Sequence, residues 1–189
     1  MKNRKPLPAI ALIAGGSGDR DLLSVRAAAL LDQAEVVVCD PEVTDLIAGA
    51  EVDVLDLPTA VTDAAIVAKA LVEQARAGRR AVRIFAGDPV GDGRVIAEAK
   101  ALHRSKVPFE ILPTAADVTG IAAYAGINLV GGKAKHLRVV DLLTSEVDSE
   151  TLADTSSSLI IRNGADSAAG IAKAALAAGR TPGTHMVVV

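Results

Sequence analysis

The feature that most constrains this chain is the alternation of short apolar runs with helical repeats over residues 9–112. Residues 9–14, 35–39, 52–55, 80–85 and 108–112 are short, rich in Val and Ile, and bounded by turn or cap residues, the signature of buried strands. Between them Leu23, Ala27, Leu30, Leu31 and Ala34 recur at helical spacing, as do Val67, Ala70, Leu71 and Ala75, and then Val95, Ala99 and Leu102. Gly78 is placed to close the second of these helices. Strands that are apolar on both faces and separated by helices predict an α/β fold with a largely parallel sheet, whose ligands bind at the carboxyl ends of the strands. After Pro113 the stretch "PTAADVTGIAAYAGINLVGGKAKH" predicts a helix of small residues and a glycine-rich turn. Strands near 136–141, 157–161 and 184–189 are then expected, with a helix marked by Ile171, Ala174, Ala175 and Ala178 and closed by Gly179. This is the pattern of two α/β domains, 1–112 and 113–189. The chain stops on the apolar run "HMVVV", so the second domain is expected to be incomplete, and the polar "TLADTSSSL" is expected to be a surface loop.

Composition removes several functions. With 189 residues, half of them apolar, there is enough material for real cores. Aromatic residues make up only 2%, namely Phe85, Phe109 and Tyr124, so a stacking platform for single-stranded nucleic acid is not expected. A net charge of −3 gives no general positive field for nucleic acid. Cys39 is the single cysteine, and no Cys/His spacing suits a metal, so a reducing cytoplasm without a bound metal is the expected setting. The start "MKNRKPLPAIALIAGG" imitates a signal peptide, but Pro8 and the glycines break its apolar run, and no stretch is long enough to span a membrane.

Three strand ends hold the functional signal. The first is Gly15, Gly16, Ser17, Gly18, Asp19, Arg20, Asp21, with Asp40 at the end of the next strand. A dinucleotide fingerprint is a poor match here, because Asp21 replaces the third glycine and a carboxylate stands where a pyrophosphate would meet the helix N-terminus. A tight turn with an N-cap explains the same residues structurally. The second is "IFAGDPVGDGR", again a strand, a glycine and acids, here Asp88 and Asp92. Asp88 and Pro89 alone would make a turn, but two acidic glycine loops together suit a ligand with hydroxyls, an amine or a positive centre rather than bare phosphates. The third, "ILPTAADVTG", brings backbone donors to a helix start.

Together these stretches resemble the tetrapyrrole methylases, and among them the uroporphyrinogen III C-methyltransferases that use S-adenosylmethionine. The family's V-G-x-G-P-G-D-x-x-L-L-T compares with "IAGGSGDRDLLS", and its V-R-A, L and A-D-V-V-x-x-D pattern with "VRAAALLDQAEVVVCD". Its V-R-L-K-G-G-D-P compares with "VRIFAGDP", its P-F-E-V-x-P-G and A-Y-A-G-I-P with "PFEILPTAADVTGIAAYAGIN", and its A-A-G-R-x-P-x-T-P-V-x-V with "AAGRTPGTHMVVV". The similarity is collinear over almost the whole chain, and the chain looks like the methylase half of a fusion with a uroporphyrinogen III synthase.

The resemblance implies two α/β domains with a ligand cleft between them, a homodimer, S-adenosylmethionine as cofactor and a tetrapyrrole as substrate. It implies cofactor contacts at Gly16, Gly18 and Asp19 in the first loop and at Gly87 and Asp88 in the second, with Ala86, Ala116 and Asp117 serving through their backbone. Asp40 matches the acid placed to act as the base that methyl transfer to a pyrrole carbon requires. Cations for a polycarboxylate substrate are offered by Lys133, Lys135, His136 and Arg138, which would otherwise read as a solvated edge strand. Several family positions are changed. Ser17 replaces a proline, Ala86 a glycine, and Pro41 an arginine, while Arg162, Asn163 and Gly164 stand for Tyr-Met-Gly and "DLPTAVTD" is a shortened loop. A degenerate, non-catalytic methylase-like domain serving assembly or a fused synthase is therefore the second reading. A nicotinamide-dependent oxidoreductase, resting on strand-end glycines and Asp40, is a distant third.

Overall fold

The computed structural model describes residues 7–57, 63–91, 93–114 and 117–189, apart from the side chains of Asp117 and Ile121. The basic start at residues 1–5, Asp92, the middle of the "DLPTAVTD" loop, Ala116 and the Asp117 side chain lie outside the described residues. The chain divides into two compact units, Met1–Asp117 and Val118–Val189.

The first unit is built on a five-stranded parallel sheet in the order β3-β2-β4-β1-β5, with β1 Ile10–Ala14, β2 Val36–Cys39, β3 Asp53–Val54, β4 Ala81–Phe85 and β5 Phe109–Leu112. All pairings are parallel, with Ala11 opposite Val82 on one side of β1 and Ile10 opposite Phe109 on the other. Helices α1 Val25–Asp32, α2 Ala64–Arg76 and α3 Arg94–Arg104 cover it. Each helix starts where the sequence supplies a cap or a turn. Ser24 Oγ accepts the Ala27 amide at 3.2 Å, Asp63 accepts the Ala65 amide at 2.8 Å, and α3 follows Gly93 in a left-handed conformation.

Strand alternation sorts the apolar side chains into two layers. Ala11, Ile13, Val37, Val82 and Ile84 pack with Ala27 and Leu31 of α1 and with Val43 and Leu46 of the 3₁₀ segment Pro41–Ile47. Ile10, Leu12, Val38, Ala81 and Phe85 face Val67, Leu71 and Ala75 of α2 and Val95 and Leu102 of α3. Arg83 shares the face of Ala81 and Phe85, so a charged side chain lies in the second layer with no exposure to solvent.

The second unit carries α4 Asp117–Tyr124 from Val118 onward, the parallel pair β6 His136–Asp141 and β7 Ser157–Arg162, and the helices α5 Ser149–Ala153 and α6 Ala168–Ala177. Two expectations are corrected here. Residues 184–189 form no strand and are exposed, because among the described residues no neighbouring strand pairs with them. The stretch "TLADTSSSL" is not a plain loop. Its start belongs to α5, which Asp148 caps by accepting the Thr151 amide at 2.6 Å, while Leu152 and Ser157 are buried. Among the described residues no helix is long and apolar enough to cross a membrane. Nor does any group of His, Cys, Asp or Glu among them stand ready to hold a metal ion.

Candidate functional site

The carboxyl ends of β1 and β4 lie side by side, and the glycine loops that follow them are joined to each other. Gly15 donates its N–H to Phe85 O at 2.7 Å, Gly16 donates to Gly87 O at 3.2 Å, and Gly87 returns a bond to Gly16 O at 2.9 Å. The chain thus makes a short antiparallel bridge beyond the ends of two parallel strands. Gly16 and Gly87 have φ of 58° and 65°, a region that L side chains rarely adopt. Thr114, at the end of β5, stands below this bridge, with its side chain in the path of any Cβ at Gly16. Three strand ends therefore meet at one place.

The two loop carboxylates serve their own backbone. Asp19 caps the 3₁₀ turn Arg20–Leu22 by accepting the Asp21 amide at 2.9 Å, and Asp88 accepts the Val90 amide at 3.0 Å. The turn-and-cap account of the first loop holds in this geometry. An incoming diphosphate would meet carboxylates on these amides, whereas a ligand without phosphate would meet no such repulsion. The residues present therefore fit a zwitterionic sulfonium nucleoside and not a dinucleotide.

Beneath the second loop lies an ion network that includes Asp40. Asp40 is 3% exposed, and its Oδ2 accepts the Ala86 amide at 2.9 Å and a bond from Arg94 Nη1. Its Oδ1 is 2.6 Å from Arg83 Nη2, an ion pair whose angle misses hydrogen-bond geometry. Arg83 Nε donates to Glu98 Oε1 at 3.1 Å, and its guanidinium stacks 4.2 Å from the centre of the Phe85 ring. Arg94 Nη2 donates to Ala86 O at 2.8 Å. Burial pushes the Glu98 carboxyl up to about 7 against the opposing pull of Arg83. Burial, helped by the Asp40 charge, pushes the Cys39 thiol up to about 11, so it is no nucleophile at neutral pH. Both oxygens of Asp40 are thus engaged in a buried network, in which the carboxylate holds the Ala86 turn.

The sequence reading missed Arg83, Arg94 and Glu98. For two of them a signal was available: Arg83 interrupts the apolar run of β4, and Glu98 falls on the apolar stripe marked by Val95, Ala99 and Leu102. A charge at such a position is kept only when another charge or a hydrogen bond meets it.

In the second unit the four expected substrate cations occupy the amino end of β6. Lys133, Lys135 and His136 are exposed, and Arg138 pairs with Asp154 at 3.1 Å, which is how a solvated edge strand behaves. The carboxyl end of the same pair of strands holds a different cluster. Asp141 accepts the Leu143 amide at 3.0 Å and Asn163 Nδ2 at 2.8 Å, and lies 3.2 Å from Arg162. These contacts, the Leu143 amide first, hold its carboxyl below the usual range.

Comparison with known proteins decides the family. A family-wide profile for the tetrapyrrole (corrin/porphyrin) methylases matches residues 9–189. The chain belongs to the tetrapyrrole methylase family. Siroheme synthase 2 of Yersinia pestis (strain Pestoides F) is 32% identical over 98% of this chain and 42% of that protein. Siroheme synthase 2 of Aeromonas hydrophila is 31% identical over 95% of this chain and 41% of that protein. The chain thus spans about two fifths of the length of these curated relatives. Among solved structures, a cobalt precorrin-4 methyltransferase superposes with a TM-score of 0.73 at 27% identity, covering 92% of this chain and 76% of the other. The uroporphyrin-III C-methyltransferase of Thermus thermophilus complexed with S-adenosyl homocysteine gives 0.70 at 29% identity, covering 92% and 74%. The α/β architecture with its parallel sheet is that of the tetrapyrrole methylases.

Proposed function

We propose that this tetrapyrrole methylase chain is an S-adenosylmethionine-dependent C-methyltransferase module acting on uroporphyrinogen III or a related tetrapyrrole. The observation that carries the reading is the bridged pair of glycine loops at the carboxyl ends of β1 and β4, whose amides are already met by Asp19 and Asp88. The Thermus methyltransferase complexed with S-adenosyl homocysteine supports it from outside. When bound, the cofactor supplies an electrophilic methyl group on a sulfonium centre. Gly16, Gly18 and Asp19 would hold it from the first loop. The Ala86 backbone, Gly87 and Asp88 would hold it from the second, and Ala116 and Asp117 complete the proposed set. What this part of the chain contributes to catalysis is position: rigid loops fix the methyl donor while the acceptor carbon is brought in line. Lys133, Lys135, His136 and Arg138 remain the proposed contacts for substrate carboxylates, and the active form is proposed to be a homodimer in the cytoplasm.

The engaged state of Asp40 favours a second reading, in which the module binds the cofactor but transfers no methyl group. Calorimetric titration separates the two. S-adenosylhomocysteine is expected to bind and NAD is expected not to bind, and failure of S-adenosylhomocysteine to bind overturns the cofactor reading. Binding without transfer of labelled methyl to uroporphyrinogen III selects the non-catalytic reading.

A further inference from the structure

The Ala86 peptide is held from both sides: its N–H donates to Asp40, and its C=O accepts from Arg94. Ala86 leads directly into Gly87, which is bonded to Gly16. Whatever fixes Asp40 therefore fixes the turn that the cofactor reading uses. Asp40 is fixed in turn by Arg83, and the pose of Arg83 is set by three contacts besides Asp40: Glu98 Oε1, the Ile84 carbonyl at 2.6 Å, and the Phe85 ring. Of these, only Glu98 brings a charge that a proton can remove. Such a buried cluster is costly to assemble, and here it lies under the candidate site.

We propose that Glu98 is a positioning residue for the Ala86–Asp88 turn, acting through Arg83 and Asp40, so that its protonation resets the geometry of the second glycine loop. With Glu98 ionised, Arg83 is shared between two buried carboxylates. With Glu98 protonated, the carboxylate opposite Asp40 loses its charge and Arg83 is drawn to Asp40 alone. The Oε2 atom of Glu98 is buried without a hydrogen bond, which favours the neutral acid over a solvent-starved charge. Burial brings the change into the neutral range. The charged groups that act on Glu98 are Arg83 from β4, Asp40 from the end of β2 and Arg94 from its own helix. The buried side of α2 in this layer brings only Val67, Ala68, Leu71, Val72 and Ala75, and the Cys39 thiol beside Asp40 stays protonated throughout. The inference rests on the proposed function only in taking this turn as a wall of the cofactor site.

The test follows the backbone ¹⁵N–¹H signals of the whole chain from pH 5.5 to 8.5, with the Ala86 amide as reporter, in the native protein and in Glu98→Gln. The Ala86 signal is expected to titrate with a midpoint near neutrality in the native protein and to stay flat in Glu98→Gln. An Ala86 signal that does not move in the native protein, or that moves equally in Glu98→Gln, overturns the proposal. Calorimetry with S-adenosylhomocysteine at pH 6 and pH 8 adds the functional arm. A change in affinity of threefold or more between the two pH values, lost in Glu98→Gln, is expected, whereas equal pH dependence in both proteins overturns the link to the ligand. If S-adenosylhomocysteine binds to neither protein, the cofactor reading fails, and the Ala86 titration still decides the role of Glu98.

Discussion

At Gly15 a methyl group has nowhere to go, because a Cβ built there would stand 2.7 Å from the Phe85 carbonyl oxygen, which accepts the Gly15 amide. Gly15→Ala is therefore expected to push β1 and β4 apart at their carboxyl ends. Thermal denaturation should show a loss of about 2–4 kcal/mol, in the range of overpacked cores and broken networks. Cys39 gives a second residue-scale prediction. Its thiol is pushed up to about 11, so at pH 8 its alkylation by iodoacetamide should run roughly a hundredfold slower than that of an exposed cysteine. Equal rates, timed by mass spectrometry, would show that the thiol is not held as described. The loop glycines and their acids were legible as residues, because a strand end followed by glycine and Asp is a local pattern. That both carboxylates would turn onto their own loop amides was also foreseeable for Asp19, as an N-cap.

At the scale of elements, β4 and α3 are tied by charge as well as by apolar contact. Replacing Arg83 with Ala would leave Asp40 and Glu98 facing each other without their shared cation. Urea denaturation is expected to show a cost of about 3–5 kcal/mol, the range for breaking a buried pair. Glu98 makes stability depend on pH with a definite sign. Because its carboxyl is raised from 4.5 to about 7 in the folded protein, the folded state holds a proton that the unfolded state has released between these values. Stability from this group is thus full below pH 4.5 and is lost as pH rises through 7, by up to about 3 kcal/mol. Glu98→Gln should flatten that slope in denaturation curves taken from pH 5 to 8. Strands β1, β2 and β4 were legible because buried parallel strands need continuous Val and Ile runs, whereas the expected buried strand at 52–55 is only the exposed edge pair Asp53–Val54. The ion network was not, since Asp40, Arg83 and Glu98 lie on three different elements and only the strand order makes them neighbours. The run "HMVVV" shows the opposite error: high β propensity makes no strand without a partner to pair with.

For the whole molecule, burial is uneven between the two units. The first contains two apolar layers on either side of a five-stranded sheet. In the second, among the described hydrophobic residues, only Ala122 and Leu152 are buried. Hydrogen exchange is therefore expected to be slowest at β1 and β4 and faster by at least tenfold at β6 and β7, in line with the dependence of local opening on buried contacts. Similar protection in both would contradict this distribution. The strand order has a consequence for the birth of the protein. β1 leaves the ribosome first, yet its two neighbours, β4 and β5, end at Phe85 and Leu112. During translation this inner strand must wait, both edges bare, until β4 has been made. At roughly 5–20 residues per second that interval lasts several seconds. A nascent chain stalled before β5 should accordingly remain a client of chaperones that shield apolar segments, and release from them should coincide with the emergence of residues 109–112.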